Sequence, residues 1–257
     1  MPDIQDQADE RGIALDRVGI TGLSHPVTLR DSEGRKSVAT ATVRVFVALP
    51  ARARAVHMSR FLDVMARHSR PLSAESLERL LLDLRSEHRA ESAGIEIAFT
   101  HFVPKRAPVT GSESLMACEV LLAATLGPSF RLSTRVRVPV MTVCPCSAQG
   151  APGTGLAQRA YVTVAVRSRA EVKIDDLVRL VEDCASAPVH PFLKAADERV
   201  VIEQALARPL FVEDVVRNVV ARLEADGTVS GYEVETENIE SAHDHNAFAQ
   251  ISRDIER

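Results

Sequence analysis

From Phe130 to Val140 the chain alternates without a break. Phe130, Leu132, Thr134, Val136, Val138 and Val140 stand on one side of the pattern, and Arg131, Ser133, Arg135 and Arg137 on the other. A period of two is the mark of a strand with one face buried. The strand runs into Cys144-Pro145-Cys146. Proline cannot donate to a sheet ladder, so pairing should stop here and leave both thiols where the backbone turns. A thiolate is soft and reactive, which makes cysteine at a strand end a candidate metal ligand or nucleophile. Two small buried hydrophobes at a turn would read the same way, and a C-x-C spacing alone does not choose.

The same alternation recurs along the chain. Arg17 to Arg30 is a strand candidate despite Gly19, Gly22 and Pro26, and Asp31-Ser32-Glu33-Gly34 supplies a turn. Val43, Val45, Val47 and Leu49 then alternate up to Pro50, which completes a hairpin. A helix is expected from His57 to about His68. Ser73 is placed to cap a second, in which Leu77, Leu80, Leu81, Leu84 and His88 repeat at helical spacing. Ile95 to Val103 and Leu115 to Leu126 read as two further strands.

After Phe130 to Val143 comes a strand from Arg159 to Ser168, then helices at Ile174 to Ala185 and Glu198 to Ala207. Pro209 precedes a third helix with the apolar stripe Val212, Val215, Val216, Val219, Val220 and Leu223. Val229 to Ile239 and Asn246 to Ile251 close the list as strands. Each half therefore reads β-β-α-α-β-β, with one extra helix in the second. The expectation is an α+β fold of two tandem units, each an antiparallel sheet with helices on one face. Residues 1–16 form a loose tail, 17–127 the first unit, and 128–257 the second unit with most of the candidate residues.

Charge and cysteine usage narrow the function classes. A net charge of −4 with a pI near 6.1 gives no basic footprint for nucleic acid or an anionic membrane. Trp is absent and Tyr161 and Tyr232 are the only tyrosines, which argues against a base-stacking platform. No apolar run is long enough to span a bilayer, and Met1 to Asp16 lacks a signal-peptide core. Cys118, Cys144, Cys146 and Cys184 are too few for a disulfide framework in 257 residues, so a reducing cytoplasm is expected.

Three more patches carry candidate chemistry. Asp197-Glu198 and Glu213-Asp214 open helices, where acidic residues serve either as dipole complements and caps or as functional carboxylates. Glu240-Ser241-Ala242-His243-Asp244-His245 follows a strand; its imidazoles are ligands, acid–base groups or part of a solvated turn. His57, Ser59 and Arg60 stand at a helix start, a place suited to phosphate and equally to an ordinary first turn.

Taken together these segments resemble the type IB GTP cyclohydrolases. The carrying residues are Val18-Gly19-Ile20, His57-Met58-Ser59-Arg60-Phe61, Cys144-Pro145-Cys146-Ser147, Gln158-Arg159, Asp197-Glu198, Phe211-Val212-Glu213-Asp214-Val215-Val216-Arg217 and Glu240 to His245. They span residues 18 to 245 in the family's order. The resemblance implies the tunnelling fold and a homo-oligomer, typically a tetramer. It implies GTP, or a related purine nucleotide, as substrate: attack of metal-bound hydroxide at purine C8, loss of formate, and closure to 7,8-dihydroneopterin triphosphate, the first step of pterin and folate synthesis.

By position it also implies roles. Cys144, position 156 and Glu198 would hold a divalent metal (Mn, Fe or Zn), Glu213 would anchor the guanine, and His243 would serve acid–base steps. His57, Ser59 and Arg60 would hold the triphosphate. Here the chain departs from the pattern, because Leu156 stands where the family carries a metal-binding histidine. Leucine cannot ligate, and a catalytic metal needs about three protein ligands and an open position. Cys146 and His245 are the substitutes to consider. Two alternatives follow: a divergent paralogue with an altered product, or a purine- or pterin-binding scaffold that has lost hydrolysis. Nitrile reductases share the cysteine and purine-anchoring glutamate but lack this combination of motifs.

Overall fold

A computed structural model describes residues 5, 7–30, 34–68, 70–148, 155–168 and 171–255. Residues 31–33 of the turn expected at Asp31 to Gly34 and part of the N-terminal tail therefore lie outside the described residues. The elements in order are β1 (Leu15–Arg30), β2 (Lys36–Leu49), α1 (Met58–Arg67), α2 (Ala74–His88), β3 (Ala93–Arg106), β4 (Glu113–Leu126), β5 (Phe130–Val143) and β6 (Ala157–Ser168). They continue with α3 (Ile174–Cys184), β7 (Ala187–Pro188), α4 (Ala195–Ala207), α5 (Val212–Ala225), β8 (Val229–Asn238) and β9 (Ala247–Asp254).

The expected pair of separate sheets is corrected by the strand order. All nine strands belong to one sheet, ordered β1-β2-β3-β4-β5-β6-β8-β9, with the two-residue β7 beside β5. The reason lies in residues 127–129. So short a link between β4 and β5 forces a hairpin, in which Gly127 N–H donates to the Ser129 carbonyl, and the ladder continues where a domain break was expected.

By compactness the chain divides into one unit of Met1–Thr100 with Leu121–Ser133 and another of His101–Val120 with Thr134–Arg257. In the first, Ala41, Val43, Val45 and Val47 of β2 are buried with Phe61, Val64 and Met65 of α1 and Leu77, Leu80, Leu81 and Leu84 of α2. The leucines recur at helical spacing and α2 buries that stripe. Ser73 accepts from Ser76 N–H while the Ser76 hydroxyl accepts from Ser73 N–H, so two orphan donors of the first turn are satisfied. Gly19 faces Phe46 in the β1–β2 ladder, and a Cβ there would lie 2.0 Å from the Val45 carbonyl oxygen. Close backbone approach thus accounts for the glycine of Val18-Gly19-Ile20.

In the second unit Val136, Val138 and Val140 of β5, Val162 and Val164 of β6, and Tyr232 and Val234 of β8 are buried, together with α3 and α5 valines. The alternation that opened the analysis is the pleat of β5. Two polar links run inside this unit. His101 meets Asp175 at 2.8 Å, and Lys105 Nζ donates to both oxygens of Glu182 at 2.7 Å.

Candidate functional site

The end of β5 is tied down on several sides. Val143 is fully buried with Ala187, Val201 and Ala205, which fixes the strand end against α4. Its N–H donates to Ser186 Oγ, and its carbonyl accepts Leu210 N–H at 2.9 Å. The residues that lead into α5 are therefore held one position away from Cys144. The chain then turns: Ser147 N–H and the Ser147 hydroxyl both donate to the Cys144 carbonyl, at 3.1 and 2.8 Å. Ser147 Oγ in turn accepts Leu156 N–H at 2.8 Å. The serine of Cys144-Pro145-Cys146-Ser147 thus fastens the turn to the start of β6.

Cys144 is half-buried and Cys146 exposed. The hydrogen bond that the Cys146 thiol donates to Cys144, followed by the Cys144 charge, pushes the Cys146 thiol up. Gly155 has φ +149°, and a Cβ there would lie 2.7 Å from Val143 Cγ1, so this approach to the turn suits glycine alone. Leu156 follows and is 39% exposed.

The two acidic pairs divide their labour. Asp197 is the third residue of α4 and has no exposed surface. It accepts from Val109 N–H, Thr110 N–H, Thr110 Oγ1 and Lys194 N–H. Burial raises its carboxyl, but these bonds outweigh it and hold the group at about 2. Asp214 likewise accepts Phe211 N–H at the start of α5. The neighbouring carboxylates, Glu198 and Glu213, are exposed in the first turns of the same helices. In each pair the aspartate caps and the glutamate is left presented.

The closing motif is anchored by residues whose part was not legible in the sequence. Buried Gln158 donates through Nε2 to Glu240 at 2.9 Å, and Ile239 N–H donates to the Arg159 carbonyl. Gln158-Arg159 is thus the fastening of the loop that carries His243 and His245. That loop turns, with His243 N–H on the Glu240 carbonyl, and the two imidazoles stack at 5.1 Å.

In the first unit His57 precedes α1 without a side-chain capping bond. Arg60 donates to the Glu87 carbonyl, and Phe61 packs its ring 4.1 Å from that of His88. Burial, then the Arg60 charge, lowers the His88 imidazole. His88 thus lies within electrostatic reach of Arg60 and His57, which the leucine spacing around it did not reveal.

Among the described residues no three of His, Cys, Asp and Glu are grouped closely enough to hold a metal ion. Cys144 and Glu198 are not completed by Cys146 or His245 within the described chain. The donor set that the sequence offers for a catalytic metal is therefore not met by this chain's described residues alone.

Comparison with known proteins decides the family. Residues 1–249 match the family described as type I GTP cyclohydrolase folE2. The chain belongs to this family. It is 40% identical over 253 residues to the GTP cyclohydrolase FolE2 of Nitrosococcus oceani, covering 98% of this chain and 95% of that protein. To the FolE2 of Pelobacter propionicus it is 39% identical, with 99% of each chain covered. To that of Halorhodospira halophila it is 41% identical, with 99% of this chain and 98% of that one covered. Among solved structures, uricase from Arthrobacter globiformis aligns with a TM-score of 0.53 at 13% identity, covering 94% of this chain and 93% of that one. Urate oxidase from Bacillus sp. TB-90 aligns at 0.51 and 8%, covering 94% and 100%. At such identities the likeness to the urate oxidases shows the fold of this folE2 family member alone. Every candidate residue above lies inside the matched span.

Proposed function

We propose that this chain is a GTP cyclohydrolase that opens the imidazole ring of GTP at C8, releases formate and yields 7,8-dihydroneopterin triphosphate for pterin and folate synthesis. Membership of the folE2 family over residues 1–249 carries the reading. In it the exposed Glu213 carboxylate receives the guanine N–H groups through charge-assisted bonds. Capping by Asp214 and the Leu210–Val143 bond hold Glu213 in place. His243 moves protons on the purine and ribose, an office suited to imidazole near neutrality. His57, Ser59 and Arg60 bind the triphosphate. The working enzyme is a cytoplasmic homotetramer: β1 and β9 end the strand order, and sheet edges are normally paired or covered.

A divalent metal is the family's means of activating water. Cys144 and Glu198 are the donors this chain offers, and Leu156 removes the third. No step is therefore routed through a metal here; a third donor from another copy would complete the set. Leu156 also favours a second reading, in which guanine binding persists and hydrolysis is slow. The deciding experiment is a GTP-dependent formate assay on the purified protein beside metal analysis and light scattering. Formate released at rates typical of enzymes, of order 1 s⁻¹ or more, supports the first reading. Nucleotide binding without formate supports the second. Absence of guanine-nucleotide binding, or a monomer that binds GTP fully, overturns the arrangement.

A further inference from the structure

Protein cores pack as densely as organic crystals and leave few voids larger than a water molecule. The first unit departs from this. A cavity of about 310 Å³ lies where the end of α1 and the start of α2 cover β1, β2 and β3. Its walls are core side chains: Val43, Met65, Leu77, Leu80, Ile95 and Ile97 line it, and none is more than 6% exposed. The chain around it is held in place. Leu72 N–H donates to the Thr28 carbonyl at 2.8 Å, which pins the α1–α2 connection to β1, and the paired Ser73 and Ser76 bonds fix the start of α2. The charge at the cavity is of one sign. His25, His68 and Arg70 line it, and no aspartate or glutamate does among the described residues. Asp83 meets His68 Nε2 at 2.8 Å from outside the lining. Arg70 is exposed and forms no ion pair among the described residues. Val38, which is 72% exposed, also lines the cavity, so Val38 and Arg70 mark its mouth.

We propose that this cavity binds a free monocarboxylate with an aliphatic chain, its head on Arg70 and its chain among the buried aliphatic side chains. An apolar interior with a few polar groups at one end is the usual build of a small-molecule site. The volume sets the size of the chain. An apolar cavity of roughly 150 Å³ takes one benzene ring, so this one takes a body about twice as large, the scale of octanoate. The carboxylate matches the guanidinium fork, and a charge-assisted pair there is stronger than a neutral hydrogen bond. His25 and His68 stand on the same lining to add donors. The site is separate from the cluster of His57, Ser59 and Arg60. That cluster opens the ten-residue α1, whereas Met65, Ala66 and His68 belong to its far end. At 1.5 Å per residue the helix sets the two about 15 Å apart.

The test titrates octanoate into the full-length protein by calorimetry, beside 1-octanol, octylammonium and butyrate. Octanoate should saturate one site per chain with a Kd below about 1 mM. Octanol has the same chain without the charge and should bind about tenfold more weakly or worse. Octylammonium and butyrate, which lack the anionic head or the long chain, should give no saturable heat at those concentrations. Arg70→Gln alters only an exposed side chain and should weaken octanoate about tenfold while leaving octanol unchanged. Val38→Trp places an indole at the exposed mouth and should weaken both. Saturating GTP should leave the octanoate affinity within about twofold. Absence of saturable octanoate binding would overturn the site, and so would equal affinity for octanol or octylammonium. Displacement of octanoate by GTP would overturn its separateness from the nucleotide residues. Unchanged octanoate affinity in both variants, each shown to be folded by circular dichroism, would put the carboxylate elsewhere and refute the proposal.

Discussion

Lys105→Met is the most demanding test of how the second unit is held together. Lys105 and Glu182 are each 9% exposed, and the ammonium bonds both carboxylate oxygens at 2.7 Å. Removing the lysine leaves a buried carboxylate with no counter-charge, which costs about 3–5 kcal/mol. For a chain of this size that lowers the melting temperature by roughly 6–20 °C. The pH dependence gives a second handle. Burial raises the Glu182 carboxyl and Lys105 draws it back, so the variant's carboxyl rises further. A carboxyl raised in the folded state adds stability below its unfolded value, about 4.3, and loses it as pH climbs through the folded value. The gap between variant and wild type should therefore narrow near pH 5 and widen near pH 8 in urea or thermal unfolding. Lys105→Met/Glu182→Leu should recover most of the loss, because a well-packed apolar pair replaces a buried ion pair at little cost. A single variant within about 1 kcal/mol of wild type, or a double variant no better than the single, would refute the account.

The same logic extends to the helix starts and the candidate site. Asp197 is held at about 2 by its hydrogen bonds, so its contribution is present above its unfolded value of about 3.9 and is lost as pH falls toward 2; Asp197→Asn should flatten acid unfolding over that window and speed hydrogen exchange at Val109 and Thr110. Glu213→Gln should weaken GTP binding by about 2–4 kcal/mol in calorimetry, since a charged acceptor becomes an amide with a donor facing a donor; affinity unchanged within twofold, as a factor of about 2, removes Glu213 from the site. Leu156→His should raise metal occupancy by elemental analysis, because imidazole suits zinc, iron and manganese to differing degrees. Full occupancy already in the wild type would show that another donor exists, and no gain in a folded variant would show a pocket diverged beyond this residue.

Strand periodicity carried most of the secondary structure, and its limits have physical causes. β5 ran over Phe130–Val143 as the alternation indicated, and Ser73 capped α2 as expected. Periodicity describes one strand's faces and says nothing of which edges meet, so a single sheet was read as two; the short link at Gly127 held that information. The two-residue β7 was beyond any pattern, since its pairing with β5 depends on the β5 partner alone. Site residues followed a similar rule. Motifs named Cys144, Glu198, Glu213 and His243, but a sequence of adjacent acids cannot say which one caps. The cap requires the carboxylate that reaches back three residues to the first free N–H, and at both helices that is the aspartate at the third position. Asp197 and Asp214 are spent on the backbone, so Glu198 and Glu213 are the carboxylates left to meet a ligand. The order Asp-Glu at α4 and Glu-Asp at α5 then has a consequence: relative to its cap, the presented glutamate stands one residue later in α4 and one residue earlier in α5. One helix therefore offers its carboxylate past the third position and the other before it, and two helix starts of like composition present their carboxylates at different places on the first turn.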